Sequence, residues 1–267
     1  MYDFNFHRPA DLATAASLLK SEDAKLLAGG QTLIPTLKQR LAAPNNLIDL
    51  SRIENLSGIE RKGRNIVIGA MTRHAEVATS AVVNKAIPAL SGLAAEIGDP
   101  AVRNRGTIGG SLANNDPSAD YPAAALALDA TMITNKREIA SGDFFKGLFE
   151  TALQPDEIVV QVCFPIPIKA GYAKFPNPAS RYAMAGVFVA KDGEGVRVAV
   201  TGAGENGVFR MSAMERALVK KFVPKSLEGI KVDAKGMISD LHGAADYRAH
   251  LVGVMARRAV EVAIRTK

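Results

Sequence analysis

The sequence predicts an α+β protein, and three observations carry that reading. Leu26–Leu41, LLAGGQTLIPTLKQRL, has the form of a short apolar strand, a double glycine, a hydroxyl residue and a helix start. Asp99–Tyr121, DPAVRNRGTIGGSLANNDPSADY, sets Gly106, Gly109 and Gly110 among Asn114, Asn115, Asp116 and Asp120, a mixture that suits neither a packed helix nor a central strand. The last third reads as antiparallel strands, with a hairpin turn at Asp192–Gly195 between two apolar runs.

Taken in order, Asp11 is placed to cap a helix over 12–20, with Leu12, Ala15, Ala16 and Leu19 on one face. A strand over 25–28 leads into the first glycine turn, and a helix follows to about Arg40, with Pro35 in its first turn where the missing N–H costs little. Strands are expected over 46–50 and 65–69. Residues 1–55 then make a first lobe of β–α–β order. In the second lobe, 56–168, Thr72 is placed to cap a short helix that carries His74, and an apolar helix over 88–97 delivers the chain to the glycine stretch. One helix is expected from Pro117 through Leu128. Strands follow at TMIT and REIA, then a loop with a short helix at GDFFKGLFETAL, whose aromatics are expected at the surface. The run DEIVVQVCFPIP closes the lobe as a strand stopped by Pro165 and Pro167. The third segment, 169–267, has strands over 172–175, 184–191 and 196–201 and helices over 212–221 and 244–264. In the last helix Tyr247, Leu251, Val254 and Met255 form a stripe that Val260 and Ile264 extend.

The two glycine stretches are the candidate site. Glycine lets main-chain N–H groups approach a ligand that a Cβ would hold away, and successive N–H groups form a concavity for phosphate oxygens. Gly29, Gly30, Gln31 and Thr32 can donate from one side, and Thr107, Gly109, Gly110 and Ser111 from the other, with the hydroxyls of Thr32 and Ser111 added. The helix expected after Pro117 would add the positive end of its dipole. Two such turns about eighty residues apart point to one ligand with two phosphates. The plain alternative for the second stretch is a long Gly/Asn surface turn.

The composition is that of an ordinary globular protein: 267 residues, 48% hydrophobic and 22% charged. A single cysteine, Cys163, excludes an internal disulfide framework and an iron–sulfur cluster ligated by this chain alone. Its apolar neighbours, VVQVCFP, predict a buried, inert thiol. The net charge of +6 is scattered, aromatics are 6% and Trp is absent, which disfavours nucleic-acid binding. The four histidines are far apart in sequence, so no metal is expected, and His74 reads as a surface or capping residue. No signal peptide and no membrane-spanning run is read, and the expected location is the cytoplasm.

The pairing of LAGGQTLIP with GDPAVRNRGTIGGSLANNDPSAD resembles the FAD-binding medium subunit of the molybdenum hydroxylases, the xanthine dehydrogenase and carbon monoxide dehydrogenase family. FNFHRPADLATAASLL and ADYRAHLVGVMARRAV extend the likeness over nearly the whole chain. The resemblance implies a two-lobed FAD-binding domain of the PCMH (vanillyl-alcohol oxidase-like) type, followed by a C-terminal domain of antiparallel sheet and helix. It implies FAD held without a covalent bond, since position 31 is Gln where a histidine would be needed. It implies two partners, a large molybdopterin subunit and a small subunit with two [2Fe–2S] clusters. Electrons would pass through this FAD to a quinone, oxygen or NAD, and contact with the inner face of a membrane would come only through the partners. Position by position, it assigns the cofactor to Ala28, Gly29, Gly30, Gln31, Thr32 and Leu33 and to Thr107, Ile108, Gly109, Gly110, Ser111 and Asn114. Asp120 matches an aspartate near the flavin end, Ile97 an apolar residue beside the ring, and Lys174 and Tyr182 a cation and an aromatic that act on the ring. YAKFPNPASRYAMA departs from the family pattern at Pro176 and Pro178, and Arg181 is the alternative cation. No residue of this chain is assigned acid–base work on the organic substrate.

Other readings are weaker. Gly202–Gly207, GAGENG, matches a nicotinamide-dinucleotide fingerprint after the strand VRVAV, but Val208–Arg210 delays the helix that should begin within the glycines. A stand-alone FAD oxidoreductase on the same fold would need its own cluster of titratable groups, and the last segment shows none. A scaffold without cofactor would have no reason to keep both glycine turns.

Overall fold

A computed structural model describes residues 1–266. The first unit holds β1 (Asn5–His7), α1 (Leu12–Leu19), β2 (Ala24–Leu27), α2 (Leu33–Lys38) and β3 (Asn46–Asp49). Its sheet is parallel, in the order β1-β3-β2, because each connection between paired strands passes through a helix. The Asp11 cap is as expected: its carboxylate accepts the Thr14 N–H at 2.8 Å. The helix after the first glycine turn is shorter than expected; it ends at Lys38, and Arg40 turns the chain with φ 59°.

The second unit begins with β4 (Ile59–Lys62) and β5 (Asn65–Gly69). It runs through α3 (His74–Thr79), α4 (Ala81–Ala86), α5 (Pro88–Ala95), α6 (Pro100–Arg103), α7 (Ile108–Asn114) and α8 (Tyr121–Ala127). Then come β6 (Thr131–Thr134), β7 (Glu138–Ala140), α9 (Ser141–Phe144), the hairpin β8 (Phe145–Gly147) and β9 (Glu150–Thr151), and β10 (Val159–Pro165). The main sheet is antiparallel, in the order β4-β5-β10-β6-β7. Ile66, Ile68 and Phe164 of this sheet pack with Leu90, Leu93, Leu112 and Tyr121 of the helices in one core.

Three expectations for this unit need correction. The helix expected over 117–128 forms only over Tyr121–Ala127, and a separate, unexpected helix precedes it. The chain is already helical at Ile108, inside the glycine stretch, and breaks at Asn115, which has φ 44°. The Asn115 amide donates to the Gly147 and Glu150 carbonyls, a tertiary contact that supports the left-handed turn. Thr72 is not the cap of α3; Arg73 is, and the Thr72 hydroxyl is engaged with the backbone of Gly58. Of the aromatics in GDFFKGLFETAL, Phe144 is fully buried, while Phe149 and its neighbour Leu148 are exposed.

The third unit is a four-stranded antiparallel sheet, β11 (Lys169–Pro176), β12 (Ala183–Lys191), β13 (Val196–Thr201) and β14 (Phe209–Arg210), with α10 (Ser212–Lys220) and α11 (Ala245–Arg265). Both faces of the sheet are covered, so β12 is buried over almost its whole length. Phe188 and Ala190 join the core of the second unit, while Val187 and Val189 pack with Val252, Met255 and Val260 of α11. The buried stripe of α11 is rotated from the expected one. Tyr247 and Ile264 are exposed, and Ala256, Ala259 and Ala263 face inward against β11. Residues 202–207 form a turn with no helix until Ser212, and 230–232 form no strand, so the nucleotide fingerprint has no supporting unit. Cys163 is half-buried rather than buried, and its surroundings push the thiol up from its usual range.

Candidate functional site

The two glycine turns meet. A Cβ built on Gly29 would lie 2.2 Å from the Arg105 carbonyl oxygen, so the approach of the first turn to the second requires glycine. Between and beside them lies a cavity of about 570 Å³, within the size range of small-molecule sites. Ala28, Gly29, Gly30, Gln31, Thr32 and Leu33 line one part of it. Thr107, Gly109, Gly110, Ser111 and Asn114 line another, and Ile97, Asp120 and Tyr182 a third.

The turns differ in what they offer. Among the described residues, no acceptor in the chain takes the N–H of Gly29, Gly30, Gln31 or Thr32. The Thr32 hydroxyl caps nothing. The second turn has spent most of its donors, contrary to expectation. Gly109 N–H goes to the Ala70 carbonyl at 2.8 Å, Gly110 N–H to the Thr107 hydroxyl at 3.2 Å, and Ser111 N–H to the Thr107 carbonyl at 3.0 Å. Gly109 is glycine because the end of β5 crosses it: a Cβ there would lie 2.4 Å from that of Ala70. The second turn is therefore a wall stitched to residues 70–74. Besides Thr107, whose hydroxyl accepts from Gly110, the polar side chains that this turn brings to the lining are those of Ser111 and Asn114.

Two assigned residues stand elsewhere. Ile108 is fully buried in the core behind the wall. Lys174 is also absent from the lining: its side chain is 2% exposed, and its ammonium donates to Asp120 Oδ1 at 3.0 Å and to the Glu96 carbonyl at 2.8 Å. Its charge is used on Asp120. The buried Tyr172 hydroxyl also donates to Asp120 Oδ1. Burial pushes the Asp120 carboxyl up, against the opposing pull of Lys174 and Tyr172. Burial likewise raises Asp116, which lines the cavity nearby, and Glu96. Arg181 does line the cavity, at the tip between β11 and β12, where it holds φ 62° beside the half-exposed Tyr182.

His74, expected as a surface or capping residue, is instead buried within the site. It is 5% exposed, lines the cavity and stacks at a tilt on Tyr121 with ring centroids 5.4 Å apart. Burial, and secondarily the Arg103 charge, bring it down to about 4, so it is neutral near pH 7. Its Nδ1 is buried without a partner among the described residues. A lone histidine in the sequence carried no signal of this; only the packing of α3 on the second turn buries it.

The fold and cavity define a dinucleotide-binding protein in which one backbone turn carries free donors and a second supplies the facing wall. Residues 2–167 match the family described as the FAD binding domain in molybdopterin dehydrogenase. The carbon monoxide dehydrogenase medium chain of Hydrogenophaga pseudoflava is 35% identical, over 97% of this chain and 96% of its own. The nicotine 6-hydroxylase medium subunit of Paenarthrobacter nicotinovorans is 36% identical, over 97% and 96%. A solved carbon monoxide dehydrogenase from Oligotropha carboxidovorans superposes with a TM-score of 0.91 at 33% identity, covering 99% of each chain. The chain belongs to this family: it is an FAD-binding medium subunit of the molybdenum hydroxylases, an oxidoreductase flavoprotein on the expected α+β fold of the PCMH type. Among the described residues, no helix is long and apolar enough to cross a membrane.

Proposed function

We propose that the cavity holds FAD without a covalent bond, its diphosphate on the N–H groups of Gly29, Gly30, Gln31 and Thr32 and on the hydroxyls of Thr32 and Ser111. The observation that carries this is the row of four unspent N–H groups beside a cavity that Gly29 brings against the second turn. Thr107 and Asn114 line the path onward, and Ile97, Asp120 and Tyr182 wall the end assigned to the ring. Bound there, FAD supplies electron transfer between one-electron donors and an acceptor. The chain binds, orients and shields it. His74 is neutral and Asp120 is paired with Lys174 on the inner wall, burial raises Asp116 beside them, and Arg181 is a cation at the mouth.

The relatives are medium chains and medium subunits, which supports a complex of three subunits. The large one would carry molybdopterin and oxidise the organic substrate or carbon monoxide, and the small one would carry two [2Fe–2S] clusters. Electrons would leave to a quinone, oxygen or NAD, in the cytoplasm. The test is twofold. The purified chain takes up FAD in dialysis and releases it on denaturation. From its native source it co-purifies with a molybdenum-containing and an iron-containing subunit. A chain that takes up no FAD, or flavin that stays with precipitated protein, defeats the proposal.

A further inference from the structure

The segment Asp116–Asp120 forms part of the cavity wall through Asp116, Ala119 and Asp120. It lies between α7 and α8 and cannot hold itself. Pro117 has no N–H, and the segment's own hydrogen bonds are Ser118 N–H to Asp116 Oδ1 and Ala119 N–H to the Asp116 carbonyl. Its partly buried carbonyls call for donors from elsewhere in the chain. The third unit supplies them. Thr201, the last residue of β13, is fully buried, and its hydroxyl donates to the Ala119 carbonyl at 2.6 Å, with the Pro117 carbonyl at 3.1 Å. The next N–H, that of Gly202, reaches the same Pro117 carbonyl at 2.8 Å. Gly202 holds φ 79° there, which makes the start of the GAGENG turn a docking element for this segment. Thr201 itself does not line the cavity.

We infer that Thr201 is a positioning residue for the cofactor: from outside the cavity its hydroxyl fixes Pro117 and Ala119, and so the wall that carries Asp116 and Asp120. The inference rests on the FAD reading of the cavity. The third unit then serves the site in two ways, directly through the lining residues Arg181 and Tyr182 and, through Thr201, by setting the wall that the second unit supplies. By linkage, FAD in turn strengthens the docking of the third unit.

The test uses the full chain. FAD is titrated into wild type, Thr201→Val and Thr201→Ser by flavin fluorescence, visible circular dichroism of the bound flavin is recorded, and the urea midpoint of each apo protein is measured. Valine keeps the shape and removes the donor, and binding is expected to weaken about tenfold with an altered flavin dichroism. Serine keeps the donor and is expected to bind within about twofold of wild type, well inside the tenfold step. Thr201→Val with wild-type FAD affinity, or a fall in apo stability with affinity unchanged, overturns the inference. So does Thr201→Ser as weak as Thr201→Val. Wild type that binds no FAD refutes the cofactor reading itself, a separate result. If the valine variant does not fold, Thr201→Cys, a weaker donor of similar size, takes its place; affinity between wild type and one-tenth supports the role, and wild-type affinity overturns it.

Discussion

Lys174 and Asp120 form a buried ion pair, Nζ to Oδ1 at 3.0 Å, across the seam between β11 and the cavity wall. Their side chains are 2% and 4% exposed, so the pair is outside the regime in which solvent weakens such contacts. Tyr172 and the Glu96 carbonyl complete it. The pair fastens the third unit to the second and leaves Asp120 on the lining with its charge balanced.

Removing one partner of such a pair costs more than removing both. Lys174→Met is expected to destabilise the chain by about 3–5 kcal/mol in urea unfolding, since it strands a buried carboxylate. The double variant Lys174→Met with Asp120→Asn is expected to regain more than half of that. A single variant as stable as wild type would show that the pair holds nothing together.

Gly29→Ala drives a methyl into the Arg105 carbonyl and must part the two turns. We expect FAD retention to fall by at least an order of magnitude, about 1.4 kcal/mol or more. The control is Gly92→Ala, an exposed position in α5 where an added Cβ meets nothing within 4 Å. That change is expected to add roughly 0.5–1 kcal/mol of stability without touching FAD. Equal flavin content in the two purified variants would contradict the close approach.

His74 gives the protein an acid-side weakness of known sign. Its folded-state pKa of about 4 lies below the ordinary 6.5, so the unfolded chain takes up the proton first. The stability that the neutral ring brings is full above pH 6.5 and is lost as pH falls toward 4. At pH 4.5 the loss is on the order of 2–3 kcal/mol relative to pH 7.5. His74→Gln carries no such proton, and its loss over the same interval should be smaller by that amount in urea unfolding. Parallel losses in the two proteins would place the imidazole in water.

Tyr182 stands half-exposed at the cavity mouth. If its ring covers the flavin, Tyr182→Phe keeps affinity and the quenching of flavin fluorescence, while Tyr182→Ala weakens binding by about 1 kcal/mol and restores fluorescence. Identical emission from bound FAD in both variants would leave the tyrosine without that role.

The elements with strong local signals were legible in the sequence. The apolar runs at 65–69 and 196–201 became strands with those bounds, and Asp11 caps α1. Edge strands β1 and β4 escaped notice because their side chains are largely exposed and lack apolar alternation. Helix α7 and its end at Asn115 escaped it too, because Asn115 is turned by carbonyls more than thirty residues away.

By itself the sequence determined the family, an FAD-binding medium subunit, since its two glycine motifs and their order lie within the stretch that matches it. What tertiary structure alone decided is how the site's polar groups are used. It gave the N–H groups of the second turn to Ala70 and Thr107, the charge of Lys174 to Asp120, and the imidazole of His74 to the interior. The reason is that hydrogen bonding and charge pairing are settled by which groups become neighbours once water is excluded, and sequence spacing does not encode neighbours that distant segments bring.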